Sequence, residues 1–126
     1  MPTKVLNVTV DCADAYALAQ FWSQVTERPI PDYDKPGDDE VGFTLDSGIA
    51  LLFIQVPEPK TVKNRMHLCL EPEIPRDEEI KRILALGATL VDDLREPDGK
   101  GWAVLADPEG NEFCVLRSTA ERAANP

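Results

Sequence analysis

Pro57–Leu70, PEPKTVKNRMHLCL, is the stretch that decides the fold. Its first eight residues are polar, carry two prolines and show no periodicity, which reads as a linker. Its last six, Arg65–Leu70, alternate: Met66, Leu68 and Leu70 fall on one face and His67 and Cys69 on the other, as in a strand. Downstream, Pro75 opens a helix, Asp77, Glu78 and Glu79 suit the positive end of its dipole, and Ile80, Ile83 and Leu84 form its buried stripe. Gly87 fits the left-handed residue that ends it. Strands over Thr89–Leu94, Trp102–Ala106 and Asn111–Arg117 follow. They are separated by the Pro97-Asp98-Gly99 turn and by a type I turn at Asp107-Pro108-Glu109-Gly110. Ser118–Pro126 reads as a frayed tail.

The same order stands upstream of the linker. Val5–Val10 is a strand with Leu6, Val8 and Val10 on one face and Asn7 and Thr9 on the other. After caps at Asp11 or Asp14, the apolar spacing of Ala15, Leu18, Ala19, Trp22 and Val25 predicts a helix to about Arg28, stopped by Pro29 and Pro31. A short strand is expected at Ile30–Tyr33. After the charged turn Asp34–Asp39 come strands at Glu40–Leu45 and Ile49–Val56, on either side of Asp46-Ser47-Gly48. Each half therefore reads strand, helix, three strands. The expectation is one α+β domain of 126 residues with modules at about 4–56 and 65–117, a linker at 57–64 and a tail at 118–126. Each sheet has one apolar face for its helix and one mixed face suited to line a ligand cup.

Composition narrows the function classes. A net charge of −10 and a sequence pI near 4.4 repel phosphate backbones and anionic lipid, so neither nucleic acid nor a membrane is expected as a partner. No apolar run approaches the roughly 20 residues of a membrane span. Met1-Pro2-Thr3-Lys4 leads straight into a strand, and the cytoplasm is the expected compartment. Cys12, Cys69 and Cys114, odd in number and widely spaced, read as reduced thiols rather than a disulfide framework.

Phe21-Trp22, VPEPKTVKNRMHL (Val56–Leu68), LGAT (Leu86–Thr89) and ADPEGNEFCVL (Ala106–Leu116) together resemble the glyoxalase-like branch of the vicinal oxygen chelate superfamily. The resemblance runs from about Val5 to Leu116. It implies two paired βαβββ modules curling into an open, barrel-like cup, in chains that commonly form homodimers. It leaves activity open, because the superfamily includes glyoxalases, dioxygenases, epimerases, thiol transferases and metal-free antibiotic-binding proteins. Metal-dependent members place four ligands in the cup, typically His or Gln, Glu, His and Glu. The matching positions here are Asn7, Gln55, His67 and Cys114; Glu112 is near the last but not at it.

Only His67 is a usual ligand in its usual place, and amide oxygens are weak donors, so no metal and no other cofactor is expected. If an ion does bind, His67, Cys114 and Gln55 are the candidates, with Cys69 as a further soft donor. His67, the one histidine, reads either as a strand histidine satisfied by solvent or as a ligand-contacting or acid–base group. Cys69 faces the same way, but residues two apart on a strand stand about 7 Å apart, too far for direct proton transfer. The thiols of Cys69 and Cys114 read first as small groups on a pocket floor. Trp102 either caps the pocket or covers the sheet, and Phe53, on one strand face with Gln55, is a cup-wall candidate. The expected ligand-binding set is thus Asn7, Thr9, Phe53, Gln55, His67, Cys69, Trp102 and Cys114.

Three readings of function follow. The first is a metal-free protein that sequesters or senses a small, partly aromatic molecule. The second is a lyase, isomerase or dioxygenase-type enzyme that uses an atypical metal site or His67 as acid and base. The third is a protein-interaction module with an empty cup.

Overall fold

The computed structural model describes residues 1–126 and divides into two compact units, Met1–Lys60 and Thr61–Pro126. Unit one contains β1 (Asn7–Cys12), α1 (Ala15–Thr26), β2 (Glu40–Thr44) and β3 (Ala50–Gln55). β3 is central, parallel to β1 and antiparallel to β2. The Asp14 carboxylate accepts from the Ala17 N–H and so starts α1, and Glu27, in the left-handed region at φ 56°, ends it two residues before Pro29. The buried stripe of α1 (Ala15, Leu18, Ala19, Phe21, Trp22, Val25) makes the core of this unit with Val41, Phe43, Leu51 and Phe53. Phe21 and Trp22 meet edge to face at 5.4 Å, and burying either ring stabilises the fold by roughly 1.5–3 kcal/mol.

Unit one departs from the sequence reading in two places. No strand forms at 30–33: Pro29 and Pro31 cannot donate to a ladder, and the Asp34 N–H turns back to the Pro31 carbonyl. The first module therefore has three strands instead of four. The first strand also begins later than expected, leaving Val5 and Leu6 largely exposed, because β3 offers partners only from Ala50 onward.

Unit two contains β4 (Cys69–Leu70), α2 (Arg76–Ala85), β5 (Thr89–Asp93), β6 (Ala103–Ala106), β7 (Glu112–Val115) and α3 (Thr119–Ala124). The sheet order is β4-β7-β6-β5, with β4 parallel to β7 and the other pairs antiparallel. The buried Asp107 builds the β6–β7 turn. One carboxylate oxygen accepts the backbone N–H groups of Glu109 and Asn111, and Gly110 takes φ 87°. Ser118–Pro126 is not frayed. The Ser118 hydroxyl accepts from the Glu121 N–H, the Glu121 carboxylate accepts from the Ser118 N–H, and this capping box starts α3.

The architecture is the expected α+β arrangement of two small mixed sheets with helices, and neither sheet closes on itself into a barrel. No helix is long and apolar enough to cross a membrane.

Candidate functional site

Strand alternation sorts the sheet of unit two into two faces. Ala103 and Leu105 of β6 pair with Val115 and Phe113 of β7; all four are buried, as are Ile80 and Ile83 of α2. The opposite face carries Val104, its partner Cys114, and the partner of Cys114 on β4, Cys69. These three line a pocket of about 300 Å³ with Leu116 and Trp102 on its apolar side and Lys63, His67 and Glu112 on its polar side.

The β4 ladder is only two residues long, so His67 precedes the strand instead of lying on it. Two sets of bonds hold this segment. The N–H groups of Cys114 and Leu116 donate to the Leu68 and Leu70 carbonyls, both at 2.9 Å. Three residues before His67, the Asn64 amide bridges to β7: its Oδ1 accepts from the Glu112 N–H at 3.0 Å, and its Nδ2 donates to the Glu112 carbonyl at 3.3 Å and to the Met66 carbonyl. The Lys63 ammonium pairs with the Glu112 carboxylate at 2.9 Å. Trp102 is placed by different means. The buried Arg76 guanidinium donates to the Lys100 and Gly101 carbonyls, both at 3.0 Å, and the Leu94 N–H donates to the Trp102 carbonyl. Gly101 is required between them: its φ is 83°, and a Cβ there would meet the Leu94 carbonyl oxygen at 2.1 Å.

A ring nitrogen of His67 and the Sγ atoms of Cys69 and Cys114 all lie within 4.8 Å of one another. The roughly 7 Å spacing expected for His67 and Cys69 describes backbone positions on a regular strand; with His67 outside the ladder, the side-chain ends converge more closely. Burial pushes the Cys114 thiol above its ordinary pKa, and Cys69 adds to this through charge and a thiol–thiol hydrogen bond, with Lys63 opposing. A thiol so shifted is a poor nucleophile by itself.

Of the eight residues expected from sequence, His67, Cys69, Trp102 and Cys114 therefore come together in unit two. The other four belong to unit one, where they do not form one set. The register pairs Asn7 with Ala50, Thr9 with Leu52 and Cys12 with Gln55, so Asn7 and Thr9 lie on the face opposite Phe53 and Gln55. Phe53 does share a face with Gln55, but it is a core residue with no exposure, its ring stacked on Phe43 at 6.2 Å; it is not a cup-wall residue. Gln55, the register partner of Cys12, lies on the face of Phe53. With His67 aligned to Asn7, Cys69 falls on Thr9, and the unit-one counterpart of Cys114 is Leu52, the partner of Thr9. Lys63, Asn64, Val104 and Leu116 were not singled out from sequence. Strand alternation from Cys114 would have found Leu116, but nothing local marks Asn64 within the linker.

The sequence model of the family described as "Glyoxalase-like domain" matches residues 7–116. No curated protein sequence matches the chain. Among solved structures, the chain is similar to a glyoxalase/bleomycin resistance protein/dioxygenase family enzyme from Burkholderia phytofirmans (21% identity, 90% of this chain and 97% of that one, TM-score 0.68). It is also similar to a mutant of FosX, the genomically encoded fosfomycin resistance protein of Listeria monocytogenes, complexed with Mn(II) and 1S,2S-dihydroxypropylphosphonic acid (18% identity, 99% and 98% of the chains, TM-score 0.71). A third is a glyoxalase-related enzyme from Fulvimarina pelagi (20% identity, 91% and 88%, TM-score 0.67). At these identities the likeness is one of fold.

The divalent ion that the resemblance implies for metal-dependent members does not fit the positions expected to hold it. Asn7 and Gln55 are neutral amides on opposite faces of one sheet, and Leu52 has no donor atom, so unit one offers no carboxylate there to a hard cation. The donors that converge are one imidazole and two thiols, all in unit two.

Proposed function

The chain belongs to the glyoxalase-like domain family, and from that premise we propose that it binds a small, partly aromatic molecule in the pocket of unit two, sequestering or sensing it. The observation that carries the reading is the two-sidedness of that pocket. Trp102, Val104 and Leu116 offer an apolar wall, while Lys63, His67 and Glu112 offer a few polar groups to fix orientation, the usual division of labour in ligand sites. Trp102 is the anchor: the residue is 42% exposed, and the chain before it is held through Gly101 and Arg76. At about 300 Å³ the pocket is at the small end of ligand sites.

Trp102 also supplies the test, because Trp22, the other tryptophan, is buried in unit one. A panel of small aromatic acids and phenols is expected to include compounds that quench Trp102 fluorescence saturably and raise the melting temperature. For such a compound Trp102→Ala, followed by thermal shift, weakens binding about tenfold, equivalent to roughly 1.4 kcal/mol. A panel without a single saturable quencher, or binding indifferent to the loss of the ring, would overturn the reading.

The closeness of His67 to two thiols favours a second reading, a lyase, isomerase or dioxygenase-type enzyme. His67→Ala separates the two: it abolishes turnover in an enzyme and only trims affinity in a binding protein.

A further inference from the structure

We propose that His67, Cys69 and Cys114 form a binding site for a thiophilic divalent cation of the zinc class, contained wholly within unit two and selective against the hard cations. The first argument is geometric. Around a tetrahedral zinc, with Zn–S about 2.3 Å and Zn–N about 2.0–2.1 Å, neighbouring donors stand on the order of 3.5–3.8 Å apart. The three donor atoms here already lie within 4.8 Å of one another. Closing the difference takes about 1 Å of side-chain movement. His67 and Cys69 are exposed and free to make it, while the buried Cys114 stays fixed on β7.

The second argument is chemical. Two thiolates and a neutral imidazole balance the charge of a divalent ion, and sulfur prefers zinc, cadmium or cobalt to manganese or magnesium. Three protein ligands leave one position open, and Trp102, Val104 and Leu116 line the same pocket as the three donors. Glu112 lines the same pocket, but its carboxylate is tied to the Lys63 ammonium at 2.9 Å.

The third argument is preorganisation. Cys69 and Cys114 are direct partners in the β4–β7 register, fixed by the bonds from the Cys114 and Leu116 N–H groups. His67 is steadied by the Asn64 bridge to β7 three residues before it. The ligands thus come from two adjacent segments whose spacing is set by backbone bonds, which lowers the ordering cost of binding a metal. The inference rests on the pocket of unit two being a binding site, and it names the ion that site would take.

The test is titration of the reduced, metal-free full chain with Zn²⁺, Cd²⁺, Co²⁺ and Mn²⁺, read by isothermal calorimetry and by thiolate-to-metal charge-transfer absorption with Cd²⁺ and Co²⁺. One zinc per chain is expected, with Mn²⁺ at least about a hundredfold weaker. Cys69→Ser, Cys114→Ser and His67→Ala should each weaken zinc at least about tenfold, whereas Cys12→Ala, which removes the thiol of unit one, keeps the affinity. Circular dichroism checks folding, and because Cys69 is exposed its variant serves if Cys114→Ser does not fold. Absence of zinc binding, equal affinity for Mn²⁺, or a charge-transfer band that survives both serine substitutions would each overturn the proposal. Quenching of Trp102 by the aromatic panel is measured on the same samples after chelation. Quenching without zinc binding sinks the metal site and leaves the pocket reading standing; zinc binding without quenching supports the metal site and removes the organic ligand.

Discussion

Asn64 sits in a stretch whose prolines and lysines read as linker, yet its amide makes the bridge that places His67. Side-chain amides are suited to this because one carries both donor and acceptor, so Asn64 can serve the N–H and the carbonyl of Glu112 at once. Asn64→Ala leaves both backbone groups to find other partners. The expected cost is about 1–2 kcal/mol of stability by urea denaturation, with a larger fractional loss in ligand or zinc affinity than in stability. Unchanged affinity would show that His67 does not depend on the bridge. The glycine before Trp102 teaches the same lesson: its role is set by the Leu94 carbonyl 2.1 Å from where a Cβ would stand, a contact between residues seven apart that a local reading does not weigh.

Helix α3 shows how an element escapes a composition-based reading. TAERAA has no apolar stripe and lies at the chain end, which argues for fraying. What holds it is its start: Ser118 is buried, the Glu121 carboxylate also accepts the Arg76 backbone N–H of α2, and Arg122 pairs with Glu71. The Ser-x-x-Glu spacing is that of a capping box, but no hydrophobic run follows it to mark a helix in the sequence. Ser118→Ala should cost about 1 kcal/mol and free this segment, so trypsin cuts after Arg117 and Arg122 sooner than in the parent chain while far-ultraviolet dichroism stays nearly constant. Equal cleavage rates would mean that α3 is held by contacts other than its cap. Element by element, the long periodic pieces (α1, α2, β2, β3) stand close to their sequence-read bounds. The first strand of each unit shifted, β1 to Asn7–Cys12 and β4 to Cys69–Leu70, because a ladder exists only where a partner strand supplies the other half of each bond.

At the scale of the whole molecule the charge is acidic, and four carboxylates of unit two, Glu71, Asp77, Asp93 and Glu121, are held below their ordinary pKa. Thr119 and then Arg122 hold Glu71 below its ordinary pKa. Arg95 holds Asp93 down to about 2. In Asp77 and Glu121 burial raises the pKa, but hydrogen bonds outweigh it, from Arg76 and Arg95 in the first and from Ser118 and Arg76 in the second, so both end below their ordinary values. A carboxylate depressed in the folded state contributes stability above its unfolded pKa and loses it as pH falls through the folded one. Acid should therefore weaken unit two between about pH 4.5 and pH 2. Fluorescence of single-tryptophan variants, Trp22→Phe reporting unit two and Trp102→Phe reporting unit one, is expected to show the Trp102 signal changing at the higher pH. Coincident transitions would remove the asymmetry.

The sequence by itself determined the class of fold, the restart after the linker and the family, because hydrophobic period, caps and turn residues act over a few neighbours and leave their mark in order along the chain. It also placed His67, Cys69, Cys114 and Trp102 as candidates. Only the tertiary structure decided that these four meet and that Asn7 and Gln55 stand on opposite faces. The physical reason is register: which residues share a face is fixed by hydrogen bonds between strands far apart in the chain, and a slip of one residue reverses every side chain.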